Sequence, residues 1–124
     1  MPDHPALTIT RTSEDLAEVV TVAGEIDLYT CGQLREALRQ AVDDGPGTVV
    51  VDMTGVEWID STGLGTLVGA LKRARAKDGT VQVAGASDLI AKHFQVTGLS
   101  RLFGMHMTVG DALAALNAKA EVTP

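Results

Sequence analysis

Apolar and polar residues alternate over Leu7-Thr8-Ile9-Thr10, the period of a half-buried strand at a sheet edge. Val19 to Ala23, led in by Glu18, predicts a second strand. The short polar turn Thr12-Ser13-Glu14-Asp15 between them permits antiparallel pairing. Beyond a loop around Asp27, Leu34, Ala37, Leu38, Ala41 and Val42 recur at helical spacing. Thr30-Cys31-Gly32-Gln33 fits a capping box at the start of that helix, and Asp44-Gly45-Pro46-Gly47 ends it. Val49-Val50-Val51 is a β-branched run without alternation, which predicts a central strand covered on both faces.

Asp60-Ser61-Thr62 opens a second helix that runs to about Lys77, with Leu64, Leu67, Val68 and Leu71 as its apolar stripe. Asp78-Gly79 ends it, and Val81 and Val83 begin another strand. Asp88 can cap a third helix whose buried side would be Leu89, Ile90 and Phe94, with Gly98 as its stop. Leu102 and Phe103 suggest a short last strand, and Val109 to Leu116 a closing helix. Two strands followed by alternating helix and strand imply one α/β domain, with a mixed sheet, an antiparallel N-terminal edge strand and about four helices. The domain is expected to span residues 7–117, with loose ends at 1–6 and 118–124.

The 124 residues suit a single domain, and 45% hydrophobic content excludes a disordered chain. With aromatics at 3%, the core must be built from Val, Leu, Ile and Ala. Ten Lys and Arg against sixteen Asp and Glu give a net charge of −6, which argues against a nucleic-acid binder. A single cysteine, Cys31, excludes an internal disulfide framework, and no apolar run is long enough for a membrane span. A cytoplasmic protein is therefore expected, with no membrane partner.

The second helix holds the informative pattern. At about 100° per residue, Leu64, Leu67, Val68, Leu71 and Ala74 share one side. Thr62, Gly65, Thr66, Gly69, Lys72, Arg73 and Ala76 occupy the other. Interior glycine costs about 0.8–1.0 kcal/mol against alanine, so Gly63, Gly65 and Gly69 together cost about 3 kcal/mol. Gly63 points inward, where tight packing explains it. Gly65 and Gly69 lie outward and suit the close approach of a partner, with packing against a neighbouring element as the other explanation.

Either Asp60 or Ser61 can accept a first-turn N–H. Ser61 also reads as a phosphate acceptor. A phosphate there would meet the positive end of the helix dipole and free N–H groups, so the helix would persist. It would add about 1.5–2 negative charges beside Asp60, on the rim of the small-residue face.

Asp60-Ser61-Thr62-Gly63-Leu64-Gly65 resembles the signature helix start of the STAS-domain anti-sigma factor antagonists. Gly24-Glu25-Ile26-Asp27 is similar to the segment after that family's second strand, and Val96-Thr97-Gly98-Leu99 with Leu102-Phe103 to its third helix and last strand. The resemblance covers about Leu7 to Leu116. It implies binding to an anti-sigma factor that is also a serine kinase of the histidine-kinase-like ATPase fold. It implies phosphorylation of Ser61 by that kinase and resetting by a serine phosphatase. Asp27 matches the acidic residue that contributes to partner contact, and Thr62 the neighbouring hydroxyl position. The expected docking residues are thus Asp27, Asp60, Thr62, Gly65, Thr66, Gly69, Lys72 and Arg73. Trp58 would anchor the helix start by packing. The chain reads as a binding module and kinase substrate rather than an enzyme, a monomer or weak dimer, with no cofactor. Related STAS domains also serve as scaffold subunits of stress-sensing assemblies or with lipid and anion transporters, which keeps a second function open.

Other residues carry less. Asp52 follows the Val49–Val51 strand, but the acid pair and late-strand Lys of a receiver-type phosphoacceptor are missing, so a turn-forming role is expected. Gly63-x-Gly65-x-x-x-Gly69 is one residue too long for a dinucleotide loop. His4, His93 and His106 lack metal-ligand spacing, and Cys31 suits a small buried hydrophobe. Lys72, Arg73, Arg75 and Lys77 would complement the dipole of their own helix.

Overall fold

The computed structural model describes residues 5–122, with side chains described to residue 120. Among them five strands and four α-helices follow one another as β1 (Thr8–Ser13), β2 (Glu18–Ile26), α1 (Cys31–Asp44), β3 (Val49–Ile59), α2 (Ser61–Arg75), β4 (Val81–Ala84), α3 (Asp88–Val96), β5 (Gly104–His106) and α4 (Val109–Val122). The sheet order is β1-β2-β3-β4-β5. β1 runs antiparallel to β2, and the remaining neighbours are parallel. This is the mixed sheet with an antiparallel edge that the sequence pattern implies.

Alternation decides which helix each strand residue meets. Val20, Val22, Val49, Val51, Val81 and Val83 join Leu34, Leu38, Leu67, Leu71, Ile90 and Phe94 in the main core. Val19, Val50 and Ala84 point the other way, into a smaller cluster with Ala112 of α4. Val50 is fully buried by that second layer, so the unbroken β-branched run is a strand covered on both faces. Phe94 and Phe103 meet edge to face at 5.7 Å and close the core beneath α3.

Several boundaries differ from the sequence reading. β2 and β3 continue to Ile26 and Ile59, and their ends lie side by side. The last strand is Gly104–His106, because Leu99–Arg101 forms a turn of 3₁₀ helix ahead of it. Ser87 caps α3 by accepting the Ile90 N–H at 3.3 Å, leaving Asp88 in the first turn. Leu89, expected to be buried, is 54% exposed; Ile90 and Phe94 alone take that helix's inner side. The tail expected after Asn117 is helical as far as Val122. The expected loose ends otherwise fall partly on residues 1–4 and 123–124, outside the described residues.

The capping box at Thr30–Gln33 does not form. Thr30 makes no side-chain bond to the start of α1. Gln33 instead clamps the backbone of Leu7, donating to its carbonyl at 2.7 Å and accepting its N–H at 2.8 Å. A reciprocal bond sits one turn earlier, between Asp27 and Thr30. No helix among the described residues is long and apolar enough to cross a membrane.

Candidate functional site

Parallel strands bring β2 and β3 to the same edge, with Ile26 beside Ile59. The chain then turns twice at that edge, into the loop before α1 and into the start of α2. The Asp60 N–H donates to the Ile26 carbonyl at 3.0 Å, which ties the two turns together. The Asp27 segment and the Asp60–Ser61 segment, far apart in sequence, therefore share one corner of the molecule.

Asp60 takes the capping role. Its carboxylate accepts the Gly63 N–H at 2.9 Å, and its extended backbone accepts the first intrahelical bond from Leu64 at 3.0 Å. Ser61 follows as the first helical residue, and its side chain is exposed. The choice left open between Asp60 and Ser61 is thus resolved in favour of Asp60. Beneath them, a Cβ on Gly63 would lie 2.6 Å from Ile26 Cγ2 and 2.8 Å from Ile59 Cγ1. Glycine is demanded there because the helix start presses onto the strand ends.

Gly65 and Gly69 are different. A Cβ at either position would meet no heavy atom within 4 Å, so nothing inside the domain demands a small residue there. They form one wall of a groove between α1 and α2, with a volume of about 520 Å³. Thr62, Thr66 and Ala70 of α2 also line it, together with Arg35, Arg39 and Arg73. Thr66, placed by the helix wheel on the outer side, is buried instead. It is 6% exposed because α1 lies alongside, and its hydroxyl donates to the Thr62 carbonyl at 3.0 Å.

Arg35 and Arg39 of α1 escaped the sequence reading. Their i,i+4 spacing marks one exposed helix face, but only the packing of α1 on α2 turns that face toward the groove. The arginines differ in their partners. Arg39 pairs with Glu36 and with Asp43, and Arg73 makes a two-pronged bond to Asp43 at 2.7 and 2.8 Å. The Arg73 guanidinium holds the Asp43 carboxyl below the ordinary carboxylate range, and the hydrogen bond from Arg39 does the same for Glu36. Arg35 has a long contact with Cys31 Sγ at 3.8 Å. Lys77 crosses to α1 and donates to the Val42 and Asp43 carbonyls at 2.9 and 3.0 Å. Part of the basic run therefore serves the end of the neighbouring helix. Lys72 is exposed.

Asp27 shapes the adjoining loop. Its Oδ1 accepts the N–H groups of Tyr29 and Thr30 at 2.9 and 3.1 Å. Thr30 Oγ1 accepts the Asp27 N–H at 2.9 Å and donates to the Glu25 carbonyl at 2.8 Å. Glu25, Asp27, Thr30 and Glu57 line a hollow beside this loop. Carboxylates therefore line the hollow beside the Asp27 loop, and guanidinium groups line the groove between α1 and α2.

The remaining candidates fall elsewhere. Asp52 is expected at a strand end in a turn, but β3 runs on to Ile59, so Asp52 lies within the strand and its Oδ1 accepts from the Thr54 N–H and hydroxyl two residues on. Trp58 does not anchor α2. It is 39% exposed and stands edge to face against His93 of α3 at 4.9 Å. Cys31 is buried. Among the described residues, no group of three or more His, Cys, Asp or Glu could hold a metal ion.

The family model described as Mlab, STAS domain matches residues 9–107. The chain is 39% identical over 104 residues to an anti-sigma-B factor antagonist of Staphylococcus aureus, covering 84% of this chain and 94% of that one. A crystal structure of an anti-sigma factor antagonist from Mycobacterium paratuberculosis superposes with a TM-score of 0.81 at 31% identity, covering 90% of this chain and 94% of the other. The Bacillus cell fate determinant SpoIIAA in its phosphorylated form shares the fold, with a TM-score of 0.69 at 22% identity, over 88% and 99% of the two chains.

Proposed function

The chain belongs to the STAS domain family, among its anti-sigma factor antagonists, and from that premise we propose that its unphosphorylated form binds an anti-sigma factor that is also a serine kinase of the histidine-kinase-like ATPase fold. Binding frees the sigma factor in the cytoplasm. The kinase then modifies Ser61 and so ends its own capture, and a serine phosphatase restores the binding form. The chain is substrate and switch, not catalyst.

One observation carries this reading. Ser61 is exposed at the first position of α2, while Asp60 alone does the capping. Its hydroxyl can be modified without removing a bond the fold uses. In the transfer, Ser61 Oγ forms a bond to the γ-phosphorus of ATP, the bond to the ADP oxygen breaks, and the hydroxyl proton passes to the kinase. The phosphatase reverses the state by water attack at phosphorus, releasing inorganic phosphate.

The new phosphate sits over free N–H groups at a helix start, which favour negative charge. It also adds to the negative charge of its neighbour Asp60 and of the Asp27 loop at the same corner. The effect on a docked partner is bulk and repulsion on the rim of the contact surface, while the helix stays folded. Gly65 and Gly69 leave open space for a close approach along the groove, with Thr62, Thr66, Lys72 and Arg73 around them.

Incubation with the kinase and ATP, followed by phosphate mapping by mass spectrometry, tests the assignment. A single phosphate on Ser61 is expected. Phosphate on Thr62 or Asp52, with Ser61 unmodified, overturns it.

A further inference from the structure

The loop between β2 and α1 exposes two adjacent large apolar residues. Leu28 is 65% exposed and Tyr29 is 68% exposed. Single exposed apolar residues are ordinary on protein surfaces, and Val96 and Met107 are of that kind here. Leu28 and Tyr29 differ because they stand together and lie beside the Ser61 corner.

Their backbone is also fixed. The Asp27 carboxylate holds the Tyr29 and Thr30 N–H groups, and the Leu28 carbonyl accepts from Cys31 Sγ at 3.4 Å. The Cys31 N–H donates to the Asp27 carbonyl at 2.8 Å, and Thr30 is buried at 6% exposure. A loop held this way presents its side chains with little backbone freedom left to lose on docking. Tyrosine has few rotatable bonds and a large amphipathic surface, the character of an interface anchor. Glu25, Asp27 and Glu57 line the hollow beside this loop, and Asp60 caps the adjoining helix; Glu25 and Glu57 are exposed, and Asp27 and Asp60 are half-buried.

We infer that Leu28 and Tyr29 form an apolar anchor that seats in an apolar pocket with a basic rim on the anti-sigma factor kinase, next to the surface that presents Ser61. The occupant follows from charge and position. An apolar projection flanked on one side by the carboxylates of Glu25, Asp27 and Glu57 complements an apolar recess with basic groups on that side. The projection also continues the face on which the kinase must sit to reach Ser61, so the inference rests on the kinase-binding reading above. The anchor sets affinity and partner choice. It does not touch the transferred phosphoryl group.

The test measures affinity by calorimetry between the full chain and the purified kinase that the unmodified chain binds. Leu28→Ser and Tyr29→Ala are each expected to weaken binding at least about tenfold, while Tyr29→Phe stays within about twofold. Circular dichroism should be unchanged, since both side chains are exposed. Glu25→Lys combined with Glu57→Lys should also weaken binding, and high salt should reduce the affinity of the unmodified chain. Affinity within about twofold for both Leu28→Ser and Tyr29→Ala overturns the anchor. If Gly65→Arg blocks binding in that same experiment, the kinase-binding reading survives and the anchor alone fails. If the unmodified chain does not bind the kinase at all, the underlying reading fails.

Discussion

Asp27 and Thr30 hold each other's backbone: the Asp27 carboxylate accepts the Thr30 N–H at 3.1 Å, and the Thr30 hydroxyl accepts the Asp27 N–H at 2.9 Å. This is the reciprocity of a capping box, placed one turn before the position where the sequence suggests one. Thr30 is buried, so replacing it removes a bond that water cannot supply. Thr30→Val should cost about 1–3 kcal/mol of stability, since it leaves the Asp27 N–H and the Glu25 carbonyl without their partner. Thr30→Ser should restore most of it. Urea denaturation of the two variants checks this. Equal stability of Thr30→Val and the unmodified chain would show that the loop does not depend on the hydroxyl.

The glycines of α2 should separate by sign. Gly65→Ala and Gly69→Ala place a methyl group in open space and recover helix propensity, so each should stabilise the fold by up to about 1 kcal/mol. Gly63→Ala drives its methyl group into Ile26 and Ile59 and should destabilise by about 1–3 kcal/mol. Thermal melts of the three single variants read this directly.

Asp60 and Ser61 should also separate. Asp60→Ala removes the acceptor for the Gly63 N–H and should cost about 0.5–2 kcal/mol. Ser61→Ala, at a first-turn position outside the cap, should leave stability within about 0.5 kcal/mol of the original. A large loss for Ser61→Ala would mean that the hydroxyl is structural, and would weaken its role as a free acceptor.

The Asp43–Arg73 bond predicts a pH response. The folded pKa of Asp43 lies below its ordinary value of 3.8, first because of the hydrogen bond from Arg73. A depressed folded pKa contributes stability above the unfolded value, and that contribution is lost as pH falls through the folded value. The contribution therefore fades in acid, below the ordinary carboxylate range. An NMR titration should find the Asp43 carboxyl midpoint lowered, and Arg73→Gln should move it up. An unmoved midpoint would show that Arg73 and Asp43 do not bond in solution.

The sequence carried most of the architecture because period and breakers were strong. Val49-Val50-Val51 marked the doubly covered strand, and Leu64, Leu67 and Leu71 marked the inner side of α2. Gly65 and Gly69 stood out because glycine inside a helix opposes its propensity, and the open space at both positions leaves that cost without a cause inside the domain, whereas Gly63 is explained by Ile26 and Ile59. The misses share a different cause. Gln33 and Thr30 satisfy a local capping pattern, yet a tertiary partner, the Leu7 backbone, claims Gln33. Thr66 looks exposed on a wheel that knows nothing of α1. Arg35 and Arg39 enter the groove only through the packing of α1 against α2. Leu89 and Trp58 are apolar residues whose exposure depends on which neighbours reach them. Propensity and spacing report what a segment can do alone, and each of these positions is decided by another segment.

Phosphate on Ser61 is expected to block docking without altering the fold. The direct test is a calorimetric titration of the kinase with the unmodified chain, the Ser61-phosphorylated chain, Ser61→Ala and Ser61→Asp, with circular dichroism of each. The unmodified chain and Ser61→Ala should bind equally, the phosphorylated chain and Ser61→Asp should lose binding, and all four should give the same folded spectrum. A phosphorylated chain that binds the kinase as tightly as the unmodified one would contradict that expectation.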